Sequence, residues 1–354
     1  MLPQEDKTIR TFFDYYKHGV IKKKEELHYD VFGNLKKKIE IKYHSNGDVK
    51  KKTEVDYPDS FMLGTYINQV CINPNTNTLY ISTPDSIIFA VDGNTFKTLD
   101  TIQIKNPSRM VVNPKTNKLY VFSRLDKKSH AVAVVDLNSN RIDAIIFGDF
   151  KHPNHMAINS STNMLYVTDW YGSDAVFAIK CDANFIIDKI KIGRGEHAIA
   201  IDENRNLIYV TNNADDNVSI INGSTNKVIG EIRIKKPADV FFNPDANILY
   251  VKSEKFWGGE GASGVDTYLQ LFNSKTQNLL DVKNLGGISP VCVTISSNLV
   301  HLISDYVYQK LDAMANEISS IKYGTVFGNQ IVVNPITNVG YTTSWDSKKI
   351  YILN

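Results

Sequence analysis

The stretch Leu207–Ile234, LIYVTNNADDNVSIINGSTNKVIGEIRI, decides how this chain is read. It holds three short apolar runs, LIYVT, NVSII and KVIGEIRI, separated by the polar turns NNADD and NGSTN. Period-two alternation, β-branched residues and Asn/Asp/Gly turns predict an antiparallel three-strand meander. A fourth run, HAIAID at 197–202, lies just upstream. Four strands in about 40 residues is the size of one propeller blade.

The unit recurs. INPNTNTLYIS (from Ile72), VNPKTNKLYVF (from Val112), INSSTNMLYVT (from Ile158), IDENRNLIYVT (from Ile201), FNPDANILYVK (from Phe242) and VNPITNVGYTT (from Val333) share one pattern. A worn copy, ISSNLVHLIS from Ile295, makes seven. The anchoring residues Tyr80, Tyr120, Tyr166, Tyr209, Tyr250, Leu302 and Tyr341 are spaced by 40, 46, 43, 41, 52 and 39. The one long gap contains an insertion, FWGGEGASG at 256–264.

These repeats resemble the YVTN-type β-propeller repeat through Tyr209-Val210-Thr211-Asn212 and the SIINGSTNKVIGEI that follows. The resemblance covers about 60–354. It implies a seven-bladed β-propeller of four-stranded blades. Members of that family are often surface-layer or extracellular proteins, many without an assigned activity. The fold hosts unrelated chemistries, so function is argued from the site.

Composition is ordinary for a globular chain, with 42% apolar and 22% charged residues over 354 positions. A net charge of +2 gives no global field for nucleic acid. No run of 18 apolar residues occurs, so no membrane span is expected. The start, MLPQEDKTIR, has no apolar core of a signal peptide. That reads as cytoplasmic by default, and as cell-surface or extracellular if a leader has been removed. Cys71, Cys181 and Cys292 are far apart and without CxxC spacing, which suggests neither a zinc site nor a disulfide framework.

Residues 15–57 carry a second repeat. Tyr15, Tyr29, Tyr43 and Tyr57 are 14 apart, with Gly19, Gly33 and Gly47 at one offset. Lysine triplets at 22–24, 36–38 and 50–52 precede Glu26, Glu40 and Glu54. Leu35, Lys37, Ile39, Ile41 and Tyr43 alternate with Lys36, Lys38, Glu40 and Lys42. The pattern predicts three antiparallel strands of about ten residues with one mostly apolar and one charged face. Lysines at one strand's start are expected beside the acidic end of the next. The unit loosely resembles YD-type hairpin repeats. The last blade lacks an outermost strand, and the segment about Asp48–Met62 is the expected donor, closing the ring and removing an exposed edge. The rest of the meander is expected to extend that blade outward. The division is therefore 1–60, meander and ring-closing strand, and 61–354, propeller.

With strands A to D running outward, the A–B and C–D turns share one end of the ring and the B–C and D–A loops the other. The first end carries repetitive turns such as NPNTNT and NGSTNK, residues suited to turn chemistry. The second is irregular and takes Trp170 with Tyr171, Trp257 in the insertion, read as a mobile lip, and Trp345. Counting four back from the Asn or Asp of each repeat puts Gln69, Arg109, His155, Ala198, Asp239 and Gln330 at the channel mouth. The residues before them are Asn68, Ser108, Asn154, His197, Ala238 and Asn329, with His152, Arg194 and Glu196 nearby.

Two readings follow. The first is a non-enzymatic scaffold that binds a protein, peptide or glycan. The contacts would be Arg109, His152, His155, Trp170, Tyr171, Arg194, His197, Trp257 and Trp345, with assembly through the meander also open. The second is a propeller enzyme of lyase or lactone-hydrolase type, with His155 or His197 and Glu196 or Asp239 as acid and base. No GxSxG, P-loop, GxGxxG or HExxH is present, and no metal or cofactor is expected. The first reading is preferred.

Overall fold

The computed structural model describes residues 8–29, 35–56, 60–126, 129–170, 173–259, 262–286, 292–296, 298–304, 307–322, 328–344 and 348–353. They form strands only, numbered β1 to β32 in chain order, in eight four-stranded antiparallel sheets. One sheet is the meander β1 (Thr8–Tyr15), β2 (Ile21–Tyr29), β3 (Leu35–Tyr43) and β4 (Val49–Asp56). The other seven lie in 60–353. Their first strands are β6 (Gln69–Asn73), β10 (Pro107–Asn113), β14 (Pro153–Asn159), β18 (Ile199–Asp202), β22 (Pro237–Asn243), β26 (Cys292–Ser296) and β30 (Gly328–Val333). Each first strand touches the next, and β30 touches β6, so the seven close a propeller-like ring.

Every repeat lies on the first two strands of a sheet. Apolar clusters fill the seams between neighbouring sheets. Val132 and Phe122 meet Leu165 and Phe177 in one, and Tyr341 and Ile350 meet Val70 and Leu79 in another. Outermost strands are mostly exposed, as Thr98–Gln103 and Lys227–Arg233 show. Burial therefore weakens outward: second and third strands are buried on both faces and read as continuous apolar runs.

The Asn-rich turns hold the seams. Their last Asn (Asn77, Asn117, Asn163, Asn206, Asn247, Asn298, Asn338) takes a left-handed φ of 52° to 60°, which Asn tolerates better than most residues. The first Asn reaches across to the last Asn of the next sheet. Asn73 donates to Asn117 (2.7 Å), Asn113 to Asn163 (2.9 Å), Asn159 to Asn206 (2.8 Å), Asn243 to Asn298 (3.0 Å) and Asn334 to Asn77 (2.6 Å). Where the fourth sheet has Asp202 instead, Arg205 binds that carboxylate and donates to Ser274 of the fifth sheet at 2.5 Å. The anchoring tyrosines add a second staple: Tyr166 to the Gly223 carbonyl (3.4 Å), Tyr250 to Ala313 (2.6 Å) and Tyr341 to Gly93 (3.1 Å).

The seventh sheet is completed by β5 (Ser60–Met62), which pairs with β32 (Lys349–Leu353). The closing strand is thus the last three residues of the expected donor segment. The meander differs from expectation. It has four strands, and it forms a sheet of its own instead of extending the seventh, touching the ring where β4 meets β29 (Glu317–Lys322). Some direct neighbours across its strands are the expected opposite charges, Asp14 facing Lys23 and Lys37 facing Asp56, while others are like charges, Glu25 facing Glu40 and Lys42 facing Lys51. Ion pairs run diagonally, Lys23–Glu40 at 2.8 Å and Lys38–Glu25 at 3.1 Å on one face, Lys37–Glu54 at 2.6 Å on the other. Both faces are therefore charge ladders, and neither is mostly apolar.

The insertion at 256–264 is also corrected. β23 (Ile248–Gly259) and β24 (Ala262–Asn273) pair through to Gly259 opposite Ala262. The long fifth gap is spent on a hairpin extension, not on a loop, because the paired backbone satisfies its own hydrogen bonds.

Candidate functional site

The loop end of the ring carries a cavity of about 780 Å³. Tyr66, Asn68, Ser108, Arg109, Arg124, His130 and Gln330 contribute its polar lining, with Pro84, Pro107, Pro153 and Phe122 as apolar walls. These come from the D–A and B–C loops and adjoining strand ends of the first three sheets, and from β30. A second cavity of about 650 Å³ opens at the same end beside Asp215, Asp216, Glu231, Arg233 and Lys235.

Two glutamines fix the inner wall. Gln69 accepts the Met110 N–H and Gln330 accepts the Val70 N–H (3.1 Å), so each clamps the first strand of the next sheet. Asn68 donates to the Pro107 carbonyl at 2.9 Å. Arg109 points from β10 into this framework. It shares the channel with His155, Asp239 and Lys252. Solvent reaches Arg109, His155 and Asp239, yet the ring encloses them, and enclosure penalises charge. It lowers the Arg109 pKa against the opposing pull of Asp239. It takes His155 down to about 3, helped by the positive charges of Arg109 and Lys252. It raises Asp239, against Lys252, the Val240 N–H and Arg109. Near neutral pH His155 is a neutral imidazole.

The other expected residues scatter. His197 is fully buried: its Nδ1 donates to the Thr211 carbonyl at 2.7 Å, and its Nε2 lies 3.6 Å from Asp174. It is a seam residue, not a mouth residue. Glu196 is exposed. Arg194 is bound to Asp215 through Nη2 at 2.7 Å and Nε at 2.9 Å, beside the second cavity. His152 is exposed and packs edge-on against Trp170 at 6.4 Å. Its N–H and that of Lys151 donate to the buried Asp169 carboxylate, which fixes this loop. Trp257 lies on β23, its side chain outside the described residues, as are Tyr171 and Trp345. Cavity and channel therefore bring together Arg109, His155 and Asp239, and leave His152, Trp170, Arg194, Glu196 and His197 apart.

Counting back along the repeats missed Arg124, His130 and Lys252, because the count follows D–A loops only. Lys252 had a signal: it stands where other repeats place Ser82, Thr168, Thr211 and Thr343, small hydroxyls two residues past the anchor. Arg124 and His130 flank a B–C loop without a repeated pattern. Among the described residues, no cluster of three or more His, Cys, Asp or Glu could hold a metal ion. No helix among the described residues is long and apolar enough to cross a membrane.

No family model and no curated protein matches the sequence. Among solved structures, the chain is similar to hydrazine synthase of Kuenenia stuttgartiensis, which contains a β-propeller. The TM-score is 0.66 at 15% identity, over 83% of this chain and 99% of that one. At that identity the likeness carries the fold alone, a β-propeller-like architecture.

Proposed function

We propose that this protein is a non-enzymatic, seven-bladed β-propeller of the YVTN-like type that binds its ligand at the loop end of the ring. Each of the seven sheets in 60–353 is read as one blade. The meander is a separate part that ends before β5 and is available for assembly. The observation that carries the proposal is the cavity of about 780 Å³ among Arg109, Arg124 and Gln330. Its size suits a small ligand or a few side chains of a larger one. It opens among irregular loops on a rigid ring, where binding residues concentrate.

The lining offers recognition chemistry rather than a reaction. An acid–base pair needs a histidine and a carboxylate in reach of each other and of a substrate. The described contacts of that kind, His197–Asp174 and His28–Glu26, both lie away from the cavity. His155 has too low a pKa to gather protons near neutral pH.

The test is selection from a random-peptide display library and a glycan array, repeated on Ser108→Trp. Ser108 is exposed on the cavity wall, so an indole there fills the site without touching the core. Ligands that bind the wild type and not the variant support the proposal. Ligands that bind both equally, or none at all, overturn it.

A further inference from the structure

The charges at the loop end are unevenly neutralised. In the second cavity, Lys235 is 2.7 Å from Asp216, Arg233 is 3.3 Å from Glu231, and Arg194 binds Asp215. In the first cavity, neither the Arg109 nor the Arg124 side chain has a hydrogen-bond or ion-pair partner among the described residues. Its described lining holds two guanidiniums, an imidazole and no carboxylate. The chain as a whole has 40 basic and 38 acidic residues, so the imbalance is local. Lys348 adds a cation at the rim, its Nζ 5.1 Å from the ring centre of Tyr66. His130 leaves its Nδ1 without a partner. Both guanidiniums are open to solvent and free to take a ligand, and a carboxylate is the partner their fork fits best.

Resting on the reading of this cavity as the ligand site, we propose that it is a receptor for an acidic peptide. Carboxylates of one extended segment would be held by Arg109 and Arg124, both on the cavity wall and both exposed. A peptide suits the site better than an acidic glycan. A sugar is held by stacking on an aromatic face, and here Phe122 is buried and the exposed Tyr66 ring already has the Lys348 ammonium over one face. Prolines 84, 107 and 153 supply rigid apolar walls for the stems of glutamate side chains.

Fluorescence anisotropy with labelled hexaglutamate tests this, alongside hexaserine, oligogalacturonate and free glutarate as competitor. Hexaglutamate is expected to bind saturably, and hexaserine not to. Arg109→Gln and Arg124→Gln are each expected to weaken binding at least about tenfold, as loss of a charge-assisted contact does. Raising salt from about 50 to about 500 mM is expected to weaken it several-fold. Both variants should keep the wild-type circular dichroism, since neither side chain bonds within the ring. They also separate this site from the meander lysines, which are untouched.

Hexaglutamate binding that is absent, or insensitive to both substitutions, overturns the acidic-peptide proposal. So does equal binding of hexaserine, or preference for oligogalacturonate. Competition by glutarate at the affinity of the peptide assigns the site to free dicarboxylates and overturns the peptide source. In these cases a ligand still abolished by Ser108→Trp leaves the cavity reading standing. Binding unaffected by Ser108→Trp removes that reading as well.

Discussion

At the turn end of the ring, Asn113 donates to Asn163 and Asn334 to Asn77, each across a seam. At the loop end, Arg109 and Arg124 face a cavity of about 780 Å³ and bond to nothing described. The same repeat builds both ends. At the turn end its repeated Asn side chains are spent on the next sheet. At the loop end a few residues such as Asn68 also reach the next sheet, but the loops follow no repeat, and Arg109 and Arg124 are left without a seam partner. Regularity in the sequence therefore marks what holds the ring, and irregularity marks where a ligand can be taken.

The largest break of this contrast is expected from Tyr341→Ala, which empties the seam between the seventh and first sheets. Tyr341 is 1% exposed and donates to Gly93. A loss of about 3–5 kcal/mol in urea denaturation is expected, from cavity and lost bond together. A loss below about 1 kcal/mol would show that this seam is not sealed by the staple.

Asn113→Ala comes next. It removes a buried amide and leaves the Asn163 oxygen and the Lys115 N–H without their partner. About 1–3 kcal/mol is expected. If the variant unfolds at the wild-type urea midpoint, the Asn ladder is decoration and the apolar seams alone hold the ring.

His155 sharpens the loop-end half of the comparison. Its folded pKa of about 3 lies below the ordinary histidine value of 6.5, so the unfolded chain takes up the proton first. Its contribution to stability is therefore present above about 6.5 and is lost as pH falls towards about 3. Stability measured from pH 7 to 4 is expected to fall less steeply in His155→Gln than in the wild type. Arg109→Gln is expected to raise the His155 pKa, read by NMR of the ring, because a neighbouring positive charge is removed. Identical slopes, or an unmoved resonance, would separate His155 from the Arg109 environment.

Arg124→Gln is expected to have the smallest effect, within about 0.5 kcal/mol of wild type, as for surface substitutions away from bonded features. A loss above about 1 kcal/mol would make Arg124 a structural residue and blunt the contrast between the ends.

Period-two runs and Asn-rich turns at a spacing near 40 were enough to read an all-β chain of repeated four-stranded sheets. The need for a fourth strand beside Lys349–Leu353 was legible too, because an unpaired edge is a liability wherever it occurs. The meander's register was less so. Lysine triplets and glutamates fix which charges are present, but a diagonal Lys23–Glu40 pair and a direct Glu25–Glu40 neighbour arise from the same composition. The insertion at 256–264 read as a mobile lip because its four glycines hide strands that their pairing stabilises.

The sequence by itself put Arg109, His155 and Asp239 at one position of the repeat and so along the channel, with Arg109 alone of the three lining the cavity. Only the tertiary structure decided that His197 is buried in a seam, that Arg194 is taken by Asp215, and that Arg124 and His130 join Arg109. Repeats propagate backbone geometry, which is local and periodic. Whether a charged side chain is neutralised depends on which loop of a neighbouring sheet comes within a few ångströms of it, and no repeat encodes that.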